Sequence, residues 1–205
     1  PEKAEIVMDK FWPGPITIIL NKKDIVPMRT SGGLDTVAIR MPSNPVAKAL
    51  LEEVKLPIAA PSANISGRPS PTKGIHVYHE MNNRVDGIII GGDCTFGLES
   101  TVLDLTNDVP MILRPGSITK EDLENVIGHV NMDPALEKKE DNIKAKAPGM
   151  KYKHYSPNAE VFIVSGKTDD VANKINELVD NNSKEGLKTV VMCLEDNKNK
   201  YNCDT

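Results

Sequence analysis

Short apolar runs rich in β-branched residues recur along this chain, each closed off by proline, glycine or polar residues. I-T-I-I-L (residues 16–20) and T-V-A-I-R-M (36–41) read as strands, with further strand candidates at 58–60, 87–90, 100–105 and 111–113. Between them the period becomes helical. Residues 45–54 predict a helix with Asn44 as N-cap and Pro45 at the first helical position, and 72–81 predict another. A third runs over 120–127, where Thr119 caps, Asp122 occupies the capping-box position, and Leu123, Val126 and Ile127 share one face. Strands and helices mixed in this way predict an α/β or α+β domain with a twisted mixed sheet.

The pattern then breaks. Residues 131–147 are rich in lysine, glutamate and asparagine, lack a useful period, and read as a linker. P-G-M-K-Y-K-H-Y-S-P (148–157) is too aromatic and too cationic for a mere spacer. Beyond it, a strand over 160–164, a helix over 168–181 with Val171, Ile175, Leu178 and Val179 at helical spacing, and a strand over 187–193 make one βαβ unit. The expected organisation is therefore an α/β domain over residues 1–130, a linker over 131–158, and the start of a small parallel-sheet domain over 159–205.

Composition adds limits. With 205 residues, 39% hydrophobic and 26% charged, the chain has the makings of an ordinary globular protein. No apolar run approaches membrane length, and the first ten residues do not resemble a signal peptide. A net charge of −4 argues against a generic nucleic-acid coat. Three cysteines (Cys94, Cys193, Cys203) without a C-x-x-C pair suggest reduced thiols and a cytoplasmic location. A chain that starts on Pro1 and stops just after a strand-like run reads as a piece of a longer protein.

Candidate chemistry concentrates in P-I-A-A-P-S-A-N-I-S-G-R-P-S-P-T (57–72). Its prolines fix φ, so the hydroxyls, amide and guanidinium of Ser62, Asn64, Ser66, Arg68, Ser70 and Thr72 lose little freedom on meeting a ligand. Gly67 allows a close backbone approach or a positive φ. Such a loop suits a polar, anionic ligand. Arg40 and Arg114 each end a strand just before a proline, where a guanidinium can fork onto a carboxylate or phosphate; a surface salt bridge is the bland alternative. G-G-D-C-T-F-G-L-E-S-T-V-L-D (91–104) resembles a glycine-rich loop entering a strand, with Ser100 and Thr101 adding hydroxyls. The chain contains no Walker A loop, no G-x-G-x-x-G and no G-x-S-x-G elbow. His76 and His79 share a predicted helix face, as a surface pair or as two metal ligands without a third. Cys94 reads as a packed thiol, and Ser62 as a ligand hydrogen-bonder rather than a nucleophile.

Taken together, F-W-P-G-P-I-T (11–17), T-V-A-I-R-M-P (36–42), P-S-A-N-I-S-G (61–67), E-S-T-V-L-D (99–104) and I-L-R-P-G (112–116) resemble the Sua5/YrdC family, the threonylcarbamoyl-AMP synthases of tRNA t6A modification. P-G-M-K-Y-K-H-Y-S-P adds the linker signature of the longer, Sua5-type members, whose C-terminal domain is Rossmann-like. The resemblance implies a YrdC-like twisted sheet lining a concave, positively charged cleft. It also implies a nucleotidyltransferase that makes threonylcarbamoyl-adenylate and pyrophosphate from L-threonine, bicarbonate and ATP, with Mg²⁺ assisting and tRNA-modifying machinery downstream. Carried onto matching positions, Arg40, the backbone at Ala60, and Ser100 would hold threonine. Thr36, Ser62, Asn64, Ser70 and Arg114 would contact ATP, and Tyr152 would close over the nucleotide. No residue is assigned covalent or acid–base chemistry, and no metal ligand is assigned. The family's K-x-R segment and the first strands, which precede F-W-P-G-P, are absent, so this stretch alone is expected to lack part of the pocket.

Two rival readings stay open. One is an RNA-binding module without catalysis, which would bind tRNA in a salt-sensitive way without needing ATP. The other is a carbamoyl-transfer domain of the hydrogenase-maturation type, against which the 148–157 linker argues.

Overall fold

The computed structural model describes residues 1–136 and 159–204. They belong to two compact units, one within residues 1–156 and the other within 157–205.

The first unit is organised by a five-stranded mixed sheet. Its strands are β1 (Ile16–Asn21), β2 (Thr36–Arg40), β3 (Thr101–Asp104), β4 (Met111–Arg114) and β5 (Asn131–Met132), in the order β2-β1-β3-β4-β5. β1 runs antiparallel to β2 and parallel to β3, β3 antiparallel to β4, and β4 parallel to β5. Alternation along β1 explains the layering. Ile16 and Ile18 enter a core with Leu103, Leu105 and Ile112, closed by Ala4 and Val7 of helix α1 (Glu2–Phe11) and by Leu123 and Ile127 of α4 (Lys120–Ile127). The opposite face carries a smaller cluster of Ile19, Val102 and Leu113, with Met111 against it. Thr17 lies on this second face by alternation.

Helices α2 (Pro45–Val54) and α3 (Gly74–Met81) bury none of their residues. The Asn44 side chain caps α2 by accepting from the Val46 and Ala47 amides, as the N-P dipeptide predicts, while its Nδ2 donates to the Gly91 carbonyl at 3.0 Å. Cys94 N–H donates to the Thr72 carbonyl at 2.8 Å, and Gly74 sits so close to Ile90 that a Cβ there would lie 2.7 Å from its side chain. These contacts tie the 87–98 stretch to the starts of α2 and α3 and to Thr72.

Four expected strands do not form. Residues 58–60, 87–90, 160–164 and 187–193 take no regular structure, apart from an isolated parallel bridge between Val190 and Asp204. A strand is stable only beside a hydrogen-bonding neighbour; among the described residues these runs have no ladder partner, and the 187–193 run has only its contact with Asp204, whose carbonyl accepts the Val191 N–H at 3.0 Å. Their apolar side chains stay exposed, including Ile89, Ile90, Val161, Phe162, Ile163 and Met192. Cys94, expected to be packed, is exposed. The second unit's described residues therefore hold one helix, α5 (Thr168–Lys184), and a 3₁₀ turn over Glu195–Lys200, rather than a paired βαβ unit. β5 and a 3₁₀ turn at Pro134–Leu136 extend ordered structure into the stretch that reads as linker.

The capping box at α4 forms as the sequence predicts. Thr119 Oγ1 accepts from Asp122 N–H at 3.1 Å, and Asp122 Oδ2 accepts from Thr119 N–H at 2.9 Å and from its hydroxyl at 2.7 Å. Those donors hold the Asp122 carboxyl below its ordinary value, and the Val130 amide, then Lys120 and His129, do the same for Glu124. Because both are depressed in the fold, their stabilisation is full above the ordinary carboxylate range and lost as pH falls through the folded values. Thr119→Ala should cost about 1 kcal/mol in urea titrations at neutral pH. That penalty should shrink on acidification below the usual aspartate range, where the wild-type cap is itself failing; a penalty independent of pH would contradict the reciprocal cap.

Candidate functional site

Pairing across the sheet sets one row of residues side by side. Arg40 of β2 pairs with Thr17 of β1, Thr17 with Val102 of β3, and Val102 with Arg114 of β4. Residues in one cross-strand row project to the same face, so Arg40 stands with Thr17 on the second face. Thr36 joins them there, since it pairs with Asn21 and shares parity with Arg40. With strands about 4.8 Å apart, the two arginines start about 14 Å from each other, a gap their long side chains can narrow over Thr17.

Arg114 reaches that face only through an irregularity. Simple alternation after Ile112 would send its side chain into the helix-covered core. The ladder instead pairs Val102 with Arg114 and Leu103 with Ile112, leaving Leu113 as the extra residue of a β-bulge. Two residues then oppose Val102, and Leu113 and Arg114 both turn to its face. Arg114 Nη2 donates to Ser100 Oγ at 3.1 Å, and its Nε donates to the Ser100 carbonyl at 3.1 Å.

Ser100 is thereby fixed from several sides. Its Oγ lies 2.8 Å from Thr17 Oγ1, and the residue is only 5% exposed. Behind it, Thr101 N–H donates to the Pro15 carbonyl, and Thr101 Oγ1 donates to the Ile118 carbonyl at 2.7 Å while accepting the Ile118 N–H at 3.1 Å. The R-P-G turn presses on the same spot. A Cβ at Gly116 would lie 2.4 Å from Thr101 N, 2.5 Å from the Glu99 carbonyl oxygen and 2.8 Å from the Ser100 carbonyl carbon. Only glycine permits that approach. The P-G-P-I-T turn is tied in by Gly14 N–H to the Met41 carbonyl at 2.9 Å, which brings the end of β2 beside the start of β1.

Hydroxyl counting says what this arrangement can do. Thr17 and Ser100 own two O–H protons and use one between them, while Arg114 donates inward. One O–H donor is left, on the same sheet face as the exposed Arg40. A donor next to a cation suits a carboxylate or phosphate oxygen.

The hydroxyl loop supplies a second group of polar atoms. Asn64 Nδ2 donates to the Ile65 carbonyl at 3.1 Å and the Arg68 carbonyl at 3.2 Å, and Arg68 N–H closes onto the Ile65 carbonyl at 3.0 Å. Gly67 takes φ +87°, the conformation its place in the loop predicts. Two carbonyl acceptors fix the Asn64 amide orientation, which leaves Oδ1 pointing elsewhere. Asn64 Oδ1 and Ser70 Oγ are buried without a hydrogen-bond partner among the described residues. Unsatisfied buried polar atoms of this kind call for an explanation, and a missing ligand is one. Ser62 and Ala60 are exposed, and among the described residues no hydrogen bond or ion pair links Ser62 to Arg40 or Arg114. Tyr152 lies outside the described residues. His76 and His79 are exposed on α3. Thr17, Gly116 and the bulge are parts of the site that motif reading does not single out, although a threonine breaking an isoleucine run at the F-W-P-G-P-I-T turn was the available signal.

In the second unit, a cavity of about 650 Å³ is lined by Cys193, Glu195, Lys198, Asn199, Tyr201 and Cys203. Burial, then the neighbouring Asp204 charge, pushes the Cys203 thiol up, so it is no thiolate nucleophile at neutral pH.

Comparison with known proteins divides the chain between residues 116 and 118, earlier than the boundary between the two compact units. Residues 1–116 match the Sua5/YciO/YrdC family model, described as telomere recombination, and residues 118–205 match the model for the threonylcarbamoyl-AMP synthase C-terminal domain. The chain is 50% identical to the threonylcarbamoyl-AMP synthase of Pyrococcus abyssi (strain GE5 / Orsay) over 94% of its own length and 56% of the relative's. It is 46% identical to the Bacillus subtilis (strain 168) protein of the same name, over 100% of this chain and 58% of that one. The crystal structure of P. abyssi Sua5 complexed with L-threonine superposes with a TM-score of 0.87 at 47% identity, covering 95% of this chain and 58% of that one. The chain thus spans a little over half the length of these relatives.

Gly116→Ala forces a methyl into backbone atoms that cannot swing aside, so it should destabilise the first unit by about 1–3 kcal/mol in chemical denaturation. The amide resonances of Ser100 and Thr101 should shift with it. An unchanged melting profile and unmoved resonances would mean the turn does not hold Ser100.

Proposed function

Because the chain belongs to the Sua5/YciO/YrdC family, we propose that the intact protein carrying it is an L-threonylcarbamoyladenylate synthase, joining L-threonine, bicarbonate and ATP into threonylcarbamoyl-AMP and pyrophosphate. The observation that carries the reading is the Thr17–Ser100–Arg114 hydroxyl clasp, in the same cross-strand row as Arg40. Support from relatives comes from the two threonylcarbamoyl-AMP synthases at 50% and 46% identity and from a Sua5 structure that holds L-threonine.

The chemistry fits what the residues offer. The threonine amine and bicarbonate combine to a carbamate with loss of water. A carbamate oxygen then attacks the α-phosphorus of ATP in line, and the bond to the β-phosphate bridging oxygen breaks, releasing pyrophosphate. Neither step needs a covalent enzyme intermediate, so the enzyme's contribution is orientation and charge neutralisation. Arg40 forks onto the threonine carboxylate, and the remaining O–H donor of the Thr17–Ser100 pair fixes the same amino acid, with the Ala60 backbone alongside. Thr36, Ser62, Asn64, Ser70 and Arg114 serve the nucleotide, with Tyr152 from the linker closing over it.

Arg114 carries two duties in this scheme, since two of its donors are already engaged on Ser100. It couples the nucleotide side to the threonine side through one rigid guanidinium. Asn64 Oδ1, a buried hard oxygen with no partner among the described residues, suits a ligand donor or the Mg²⁺ that accompanies ATP. Among the described residues no group of three histidine, cysteine, aspartate or glutamate side chains could hold a metal by itself, so that ion would take its other ligands from phosphate and water. When bound, it would neutralise charge on the departing pyrophosphate. The labile product is one that tRNA-modifying transfer machinery would consume.

In the intact protein, pyrophosphate release from ATP in bicarbonate buffer should require L-threonine. Arg40→Ala should raise the KM for threonine about tenfold or more, as expected for loss of a charge-assisted hydrogen bond, while moving the KM for ATP less than about twofold. An equal rise for both substrates would contradict the role given to Arg40, and release without threonine would contradict the reading as a whole.

A further inference from the structure

Only one regular element holds the hydroxyl loop among the described contacts, and it does so through one carboxylate. Glu80 sits on the last turn of α3, with its side chain 20% exposed. Its Oε2 accepts the Ile65 N–H at 2.8 Å, and its Oε1 lies 3.5 Å from Arg68 Nη1. The other bonds of the Asn64–Arg68 turn are internal to it: Asn64 Nδ2 to the Ile65 and Arg68 carbonyls, and Arg68 N–H to the Ile65 carbonyl. Internal bonds shape the turn, but they do not say where it points. Glu80 does, by anchoring both of its ends to a helix.

We infer that Glu80 is a positioning residue of the nucleotide side of the site, acting through the Asn64–Arg68 turn. A bare carboxylate near a triphosphate is costly, which excludes direct contact as its purpose. Here its charge is taken up by an amide N–H and a guanidinium, so it serves as a bracket behind the loop. In front, the turn aims Asn64 Oδ1, and Ser70 Oγ follows two residues after Arg68. Both atoms are buried and without partners among the described residues, as expected of groups kept for a ligand. The Arg68 guanidinium, 60% exposed and already facing a carboxylate, is thereby demoted from anion clamp to the outer jaw of the bracket. Unhooking Ile65 leaves the fold's sheet core untouched, since neither Glu80 nor the turn belongs to it. What is lost is the preset direction of Asn64, and with it the preorganisation that lowers the cost of binding.

The inference rests on the adenylation reading for its kinetic arm and stands apart from it for its structural arm. Glu80→Ala and Glu80→Gln are compared with wild type in the intact protein. Amide hydrogen exchange at Ile65 should quicken about tenfold or more in Glu80→Ala, the loss of one hydrogen bond to a charged group. Most of the protection should return in Glu80→Gln, which keeps the acceptor. In the pyrophosphate assay the KM for ATP should rise about tenfold in Glu80→Ala, with KM for threonine changed less than about twofold and partial recovery in Glu80→Gln. Unaltered Ile65 exchange in Glu80→Ala overturns the inference, as does a fall in kcat without a change in the KM for ATP. Should Glu80→Ala not fold, the Gln variant decides: Ile65 exchange and KM near wild type support the acceptor role, and a tenfold loss in both overturns it. Wild type without threonine-dependent release would sink the adenylation reading instead, and the exchange result would still judge Glu80.

Discussion

The site depends on one hydroxyl being unable to move. Ser100 Oγ is caught between Thr17 Oγ1 at 2.8 Å and Arg114 Nη2 at 3.1 Å, at the point where β1, β3 and β4 meet. Each of those strands also contributes to the buried core, so the hydroxyl inherits the rigidity of the best-packed part of the molecule. A serine on a free loop would sweep through many rotamers. Here its rotor is set by two partners and its backbone by the Gly116 approach. Orientation of that kind is what an adenylating enzyme without a covalent intermediate has to supply.

The bulge at Leu113 is the device that makes the clasp possible. A regular ladder would bury the Arg114 guanidinium beside Ile112, Leu123 and Ile127, where an unpaired charge is strongly disfavoured. One extra residue turns it to the face of Ser100 and keeps Ile112 in the core. Bulges are common next to functional sites because they re-aim a single side chain without disturbing its neighbours. The two halves of the site accordingly differ in stiffness. The sheet half is locked by strand pairing, whereas the loop half hangs on short internal bonds and the Glu80 bracket. In the proposed reaction, a rigid seat for one substrate and a more adjustable one for the other are what ordered assembly would use.

Much of this was legible in the chain, and the failures have physical causes. Strands β1 to β4, α2 and α4 follow from β-branched runs, the Asn44–Pro45 start and the Thr119–Asp122 box, all signals that act locally. The candidate residues Thr36, Arg40, Ser100 and Arg114 fall on one sheet face, a matter of register that the sequence alone does not reveal. The bulge left no local mark, because it is a property of two strands together. Residues 58–60, 87–90, 160–164 and 187–193 have strand composition but no ladder partner among the described residues, so propensity alone misled. Helix α1 went unread because E-K-A-E-I-V-M-D-K-F lacks a side-chain cap and buries only Ala4 and Val7. Ser62 and Ala60, prominent as motif residues, sit exposed where composition could not place them.

The central claim is that the Ser100 clasp and Arg40 form a single amino-acid seat on the second face of the sheet. A crystal structure of the intact protein with L-threonine and a non-hydrolysable ATP analogue tests it most directly. The account predicts the threonine carboxylate beside the Arg40 guanidinium, a threonine polar atom within hydrogen-bond distance of the Thr17–Ser100 pair, and the nucleotide against Asn64 and Arg114. Threonine found away from that face, with no substrate atom on the Thr17–Ser100 pair, would contradict it.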